Sequence, residues 1–192
     1  PKIHDIMSVS NADYFIFLNN FSILHADFLF NIVSKINQNF LGDVYYCDED
    51  FISKNGKRVN PFFKPDWSPY LLRSFNYIGN SFVMRKQLLD KLSNFVLDKN
   101  FHYDLMLHCA EISKKFVHES IPCYSSLKTH TIDQTKILSQ HVQRLGLNAE
   151  VERGKAIDTL RVKYLLENKP KVSIIIPTKN NKLLLERCIK SL

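Results

Sequence analysis

Apolar and polar positions divide the chain into short blocks whose spacing alternates between strand and helix periods. Ala12–Leu18 (ADYFIFL) is a compact apolar and aromatic run that reads as a buried strand. Across Asp27–Ile36, Phe28, Leu29, Ile32, Val33 and Ile36 return at helical spacing and predict one buried helix face. Asp43–Cys47 (DVYYC) predicts a second strand, running straight into Asp48-Glu49-Asp50. Phe51–Pro69 is interrupted by Asn55-Gly56, a hairpin-type turn signal. Pro61, Pro65 and Pro69 exclude a regular helix there, so a loop with extended pieces is expected. Tyr77–Met84 reads as a strand containing Gly79. Helices follow over Lys86–Phe95 and Tyr103–Lys114, the latter aligning Leu105, Cys109 and Ile112, and Phe116–His118 is a short strand.

The helical period returns over Ile132–Leu145, with Gly146 as its stop. Glu150–Lys169 is charged and mixed, and reads as a linker with a short helix or strand near Ile157–Leu166. Pro170 then introduces Val172–Ile176 (VSIII), an unbroken run suited to the centre of a parallel sheet. Pro177-Thr178 ends it, and Leu183, Leu184, Cys188 and Ile189 begin a helix. That helix reaches Leu192 without a glycine or cap, and nothing after the strand supplies its neighbours. The expectation is a chain cut within a longer protein.

Composition adds bounds. The 192 residues are 45% hydrophobic with only 5 glycines, enough for a packed core and unlike a disordered chain. A net charge of +7 favours anionic partners, yet no Lys/Arg block of the nucleic-acid-binding kind occurs. Cys47, Cys109, Cys123 and Cys188 form no CxxC pair and read as buried thiols of a reducing compartment. No apolar run reaches the length of a membrane span. P-loop and GxGxxG motifs are absent from the sequence.

Val172–Leu192 (VSIIIPTKNNKLLLERCIKSL) resembles the opening strand, turn and helix of inverting family-two glycosyltransferases with the GT-A fold. Tyr46–Asp50 (YCDED), Pro61–Ser68 (PFFKPDWS) and Phe75–Gly79 (FNYIG) succeed one another as in bacterial two-domain members. The resemblance implies an α/β fold: a partial GT-A, nucleotide-diphospho-sugar-transferase-like mixed sheet flanked by helices and incomplete at the chain ends. It implies the C-terminal half of one such domain over 1–131, a helical linker over 132–170, and the start of a second domain over 171–192.

Such an enzyme transfers sugar from a nucleotide-sugar to a surface polysaccharide or lipid-linked glycan. It needs a divalent cation on the diphosphate, a carboxylate base and a nucleotide pocket. The family's metal-binding Asp-x-Asp falls here on Leu18-Asn19-Asn20-Phe21-Ser22; Asn19 and Phe21 supply no carboxylate, and hard cations want anionic oxygen. The base position, in Phe101-His102-Tyr103-Asp104-Leu105, carries His102, with Asp104 at the second acidic position. Histidine can act as a base, but loss of function is the simpler reading. Asp104 also suits a helix N-terminus.

Asp48, Glu49 and Asp50 lie near the cleft by resemblance, but neighbours on a strand alternate sides, so a solvated or loop-organising role stands beside a site role. Trp67, the only tryptophan, either stacks on an acceptor sugar or packs a rigid loop. Asn76 and Tyr77 are placed at the acceptor cleft, Thr178 and Asn180 at the donor edge. No cofactor is expected here; Mg²⁺ or Mn²⁺ would serve an intact domain. Expected partners are a nucleotide-sugar, a glycan acceptor and the rest of the parent chain, and Val172–Ile176 is expected to dock beside Ala12–Leu18 in the same chain or in a strand-swapped copy. Nucleic acid is not among them. The expected location is cytoplasmic, at most peripheral to the inner membrane face. The alternative function is a non-catalytic glycan-binding or scaffolding module.

Overall fold

The computed structural model describes residues 5, 9–19, 22–38, 41–92, 95–97, 101–126 and 133–191. Phe21, expected at the degenerate metal position, and the expected boundary at 131–132 lie outside them. The fold is α/β, built on a mixed six-stranded sheet: β1 (Tyr14–Phe17), β2 (Ser22–Leu24), β3 (Val44–Ile52), β4 (Arg58–Phe62), β5 (Phe82–Arg85) and β6 (Phe116–Ser126). The strand order is β1-β5-β3-β6-β2, with β4 also paired to β3. β3 runs parallel to β6 and antiparallel to β5 and β4. β5 pairs with its first residues and β4 with its last, so that side of β3 is covered at both ends.

Alternation along β3 feeds two cores. Val44 and Tyr46 join Phe82, Met84 and Phe116 on one face, under Leu72, Leu88, Leu89 and the helix α4 (Phe101–Ile112). Tyr45 and Cys47 join Val83, Cys123 and Tyr124 on the other, under α1 (Phe28–Gln38). Only Phe28 and Ile32 of α1 are buried, with Ile36 packed beside them. Leu29 and Val33, expected on the same face, are exposed. α2 (Pro69–Leu72) starts where Ser68 Oγ accepts from Leu71 N at 3.3 Å and Pro69 follows the cap. The predicted helix from Lys86 is the shorter α3 (Lys86–Asp90).

Other expectations change. Ala12–Leu18 yields the half-buried edge strand β1, not a buried one. Tyr77–Met84 yields a strand only from Phe82, because Gly79 turns the chain at φ +84. The short strand at Phe116 extends to Ser126, its register with β3 jumping from Cys47↔Glu119 to Asp48↔Pro122. This bulge accommodates Pro122, which cannot donate to a regular ladder.

The segment expected as a helical linker packs on the same body. It forms α5 (Thr135–Arg144), ended by Gly146 at φ +63, and a hairpin of β7 (Ala149–Arg153) and β8 (Leu160–Tyr164). Leu138, Val151, Leu160 and Val162 join the first core, and Leu160 N donates to Ser74 O.

Val172–Ile176 pairs with no strand among the described residues; Val172 is 78% and Ile175 89% exposed. Its docking beside β1 within the chain is therefore not adopted. A β-branched run needs a partner ladder as well as propensity. α6 (Lys182–Lys190) forms as expected, capped by Asn181 Oδ1 accepting from Leu184 N at 3.2 Å, with none of its side chains buried. Cys47, Cys109 and Cys123 are buried thiols, whereas Cys188 on α6 is exposed. Among the described residues, no helix is long and apolar enough to cross a membrane.

Candidate functional site

The acidic triplet is the polar end of β3, and it is buried: Asp48 is 2%, Glu49 9% and Asp50 4% exposed. A solvated role is thereby excluded, because burial of a carboxylate demands partners. Each has them. Asp48 Oδ1 accepts from Lys64 N and pairs with His118 Nε2, both at 2.8 Å. Glu49 accepts from Ser126 Oγ at 2.8 Å and pairs with Lys64 Nζ at 3.3 Å. Asp50 accepts from Arg58 Nε at 2.6 Å and from Ser125 Oγ, which also meets His25 Nε2 at 3.0 Å.

Lys64 is the centre of this group. Its side chain is fully buried, and Nζ donates to Ile78 O at 2.7 Å and Tyr124 Oη at 2.8 Å. Burial, with Glu49 beside it, pushes the Tyr124 phenol well above its ordinary range, so it stays a neutral hydroxyl. Gly79 lies against the same cage: a Cβ there would stand 3.0 Å from Tyr124 Oη and 3.2 Å from Glu49 Oε1. The Phe75–Gly79 block is thus tied to the acidic strand through a lysine from the Pro61–Ser68 block.

Trp67 stacks flat on Phe116, with centroids 3.7 Å apart. Next to it, Asp66 reaches His118 Nδ1 at 3.3 Å, so His118 spans a surface and a buried carboxylate. Tyr77 is fully buried, its hydroxyl accepting from Ser68 N at 2.9 Å. Asn76 donates to Gly79 O and Asn80 Oδ1, both at 3.3 Å, while its own buried Oδ1 has no protein partner. Thr178 and Asn180 are exposed on the segment leading into α6, Asn180 with φ +52.

His102, expected at the base position, stacks on Phe101 and meets Phe82 edge-on. Its Nε2 is buried without a hydrogen-bond partner. Desolvation lowers its pKa from the ordinary 6.5 to about 4. An unfolded chain binds a proton below pH 6.5 that the folded chain refuses until about 4, so stability falls as pH drops through that window. The variant His102→Phe is expected to flatten this acid limb. Urea midpoints between pH 7 and 4 that fall in parallel for both proteins would refute the assignment. Asp104 faces elsewhere, pairing with His108 at 3.1 Å and Arg144 at 3.5 Å.

These residues do not fit a divalent cation. Asn19 offers a neutral amide, and the carboxylates of β3 are already engaged by Lys64, Arg58, His118 and two serine hydroxyls. Among the described residues, no group of three or more His, Cys, Asp or Glu is arranged to hold a metal ion. Sequence reasoning missed Lys64, His118, Tyr124, Ser125 and Arg58. The one available signal was Lys64, a lone cation inside the Pro61–Ser68 block that carries the resemblance.

No protein-family model matches the chain. It is 36% identical over 162 residues to the O-antigen biosynthesis protein RfbC of Myxococcus xanthus, an alignment spanning 77% of this chain and 13% of that protein. It is 26% identical over 204 positions to an uncharacterized protein, y4gI, of Sinorhizobium fredii, spanning 97% of this chain and 22% of that protein. The chain is therefore homologous to a short part of much longer proteins.

Proposed function

We propose that this chain is a catalytically degenerate GT-A domain within a glycosyltransferase of polysaccharide synthesis. The parent transfers sugar from a nucleotide-sugar to a surface polysaccharide or lipid-linked glycan on the cytoplasmic side of the membrane, and this domain holds or positions the glycan. The similarity to an O-antigen biosynthesis protein supports the pathway class. The observation that carries the degenerate reading is the internal pairing of Asp48, Glu49 and Asp50, which leaves Asn19 and the weakly basic His102 at the family's metal and base positions.

In this reading the transfer chemistry, with its Mg²⁺ or Mn²⁺, belongs to a second domain of which Lys171–Leu192 is the beginning. Calorimetric titration of this chain with UDP-, GDP- and dTDP-sugars should show no Mn²⁺-dependent heat. Saturable Mn²⁺-dependent binding of any of them would overturn the degenerate reading.

A further inference from the structure

Between α4 and α5 lies a cavity of about 620 Å³, lined by Phe95, Val96, Asp104, His108, Gln140, Gln143 and Arg144. Its volume is within the range of small-molecule sites. The lining comes mainly from two packed helices. Asp104 and His108 stand four residues apart on α4, while Gln140, Gln143 and Arg144 share one face of α5. Asp104 is roughly 200° around the helix from His102, so the cavity opens away from the side that packs on Phe82.

We propose that this cavity binds a neutral saccharide through vicinal hydroxyls. The proposal rests on the reading of the chain as part of a glycan-synthesising protein and names where the glycan is held. Sugar hydroxyls need planar groups that donate and accept side by side. Gln140 and Gln143 each present both, and Asp104 adds an acceptor.

The charged members are fixed before any ligand arrives. Arg144 Nε donates to Glu111 at 2.8 Å and its Nη2 reaches Asp104 at 3.5 Å. Burial draws the proton affinity of His108 down, but the hydrogen bonds and charge of Asp104 outweigh it and raise the pKa. Phe95 meets the His108 ring edge-on at 5.0 Å, and Val96 supplies an apolar surface for C–H groups.

Electrostatics selects the ligand class. Asp104 and Glu111 face the guanidinium of Arg144, and Asp104 also holds His108, so each basic group of the lining is already paired with a carboxylate. An uncharged sugar loses nothing in that balance, whereas a diphosphate would have to compete with Asp104 and Glu111 for Arg144.

The test is an amide-shift titration by NMR of this chain with cellobiose, α-1,2-mannobiose and α-1,4-galactobiose, which together present equatorial and axial vicinal diols, and with UDP. At least one disaccharide should shift Asp104, His108, Gln140, Gln143 and Arg144 saturably, with a Kd on the order of 1 mM. The exposed double variant Gln140→Ala/Gln143→Ala should keep its thermal midpoint and weaken binding by about tenfold or more. UDP should leave these amides unmoved.

No saturable shift there with any disaccharide, shifts that survive the double variant, or UDP binding at these residues would overturn the proposal. Disaccharide shifts gathered around Trp67 and Asn76 would overturn it too, while leaving the degenerate-domain reading standing. That reading fails separately, on Mn²⁺-dependent nucleotide-sugar binding.

Discussion

Lys64→Met is expected to destabilise the fold by about 3–5 kcal/mol, the cost of breaking a buried ion pair from one side. Methionine keeps the apolar stem but removes the ammonium, stranding Glu49, the Ile78 carbonyl and the Tyr124 hydroxyl. For a chain of this size the thermal midpoint should fall by about 10 °C. Adding Glu49→Gln removes the stranded charge and should recover part of the loss, because a neutral amide still accepts from Ser126. Thermal unfolding of the two single variants and the double variant decides it. Strictly additive losses would mean that the pair is not coupled.

Gly79→Ala is expected to cost about 2–4 kcal/mol from two sources. At φ +84 a side chain is strained wherever it points. The new methyl would also press on Tyr124 Oη at 3.0 Å and Lys64 Nζ at 3.3 Å, groups already held by hydrogen bonds. Urea unfolding measures the loss. A change below 1 kcal/mol would show that the cage yields more easily than its buried bonds imply.

Both predictions concern a polar cage that the sequence did not announce. Asp48-Glu49-Asp50 is visible as a triplet, but Lys64, His118 and Tyr124 come from three other segments, and nothing local to the triplet marks its burial. Local patterns did better where the signal is itself local. The DVYYC strand, the helices around Leu105 and Leu138, and the Asn55-Gly56 turn between β3 and β4 were legible.

The β7–β8 hairpin was half legible. Its alternation is written in Val151 and Val162 pointing inward and in Glu150–Lys163 and Glu152–Arg161 as exposed cross-strand pairs, but the charge density reads as a linker. Pro122 hid the length of β6, since only a bulge lets proline sit there. Val172–Ile176 shows the opposite failure, a strong strand propensity with no ladder among the described residues.

The position of β6 also sets the order of assembly. It lies between β3 and β2, both of which precede it by much of the chain, and the helix α4 comes between. Until β6 has been synthesised, β3 lacks its parallel neighbour and β2 has no strand to pair with. Such distant pairings carry a large loop-closure entropy and slow the search for the native state. On a ribosome the sheet therefore stays open beside β3 until Ser126 has emerged, and the apolar Val44–Cys47 half of β3 is left for a chaperone to meet.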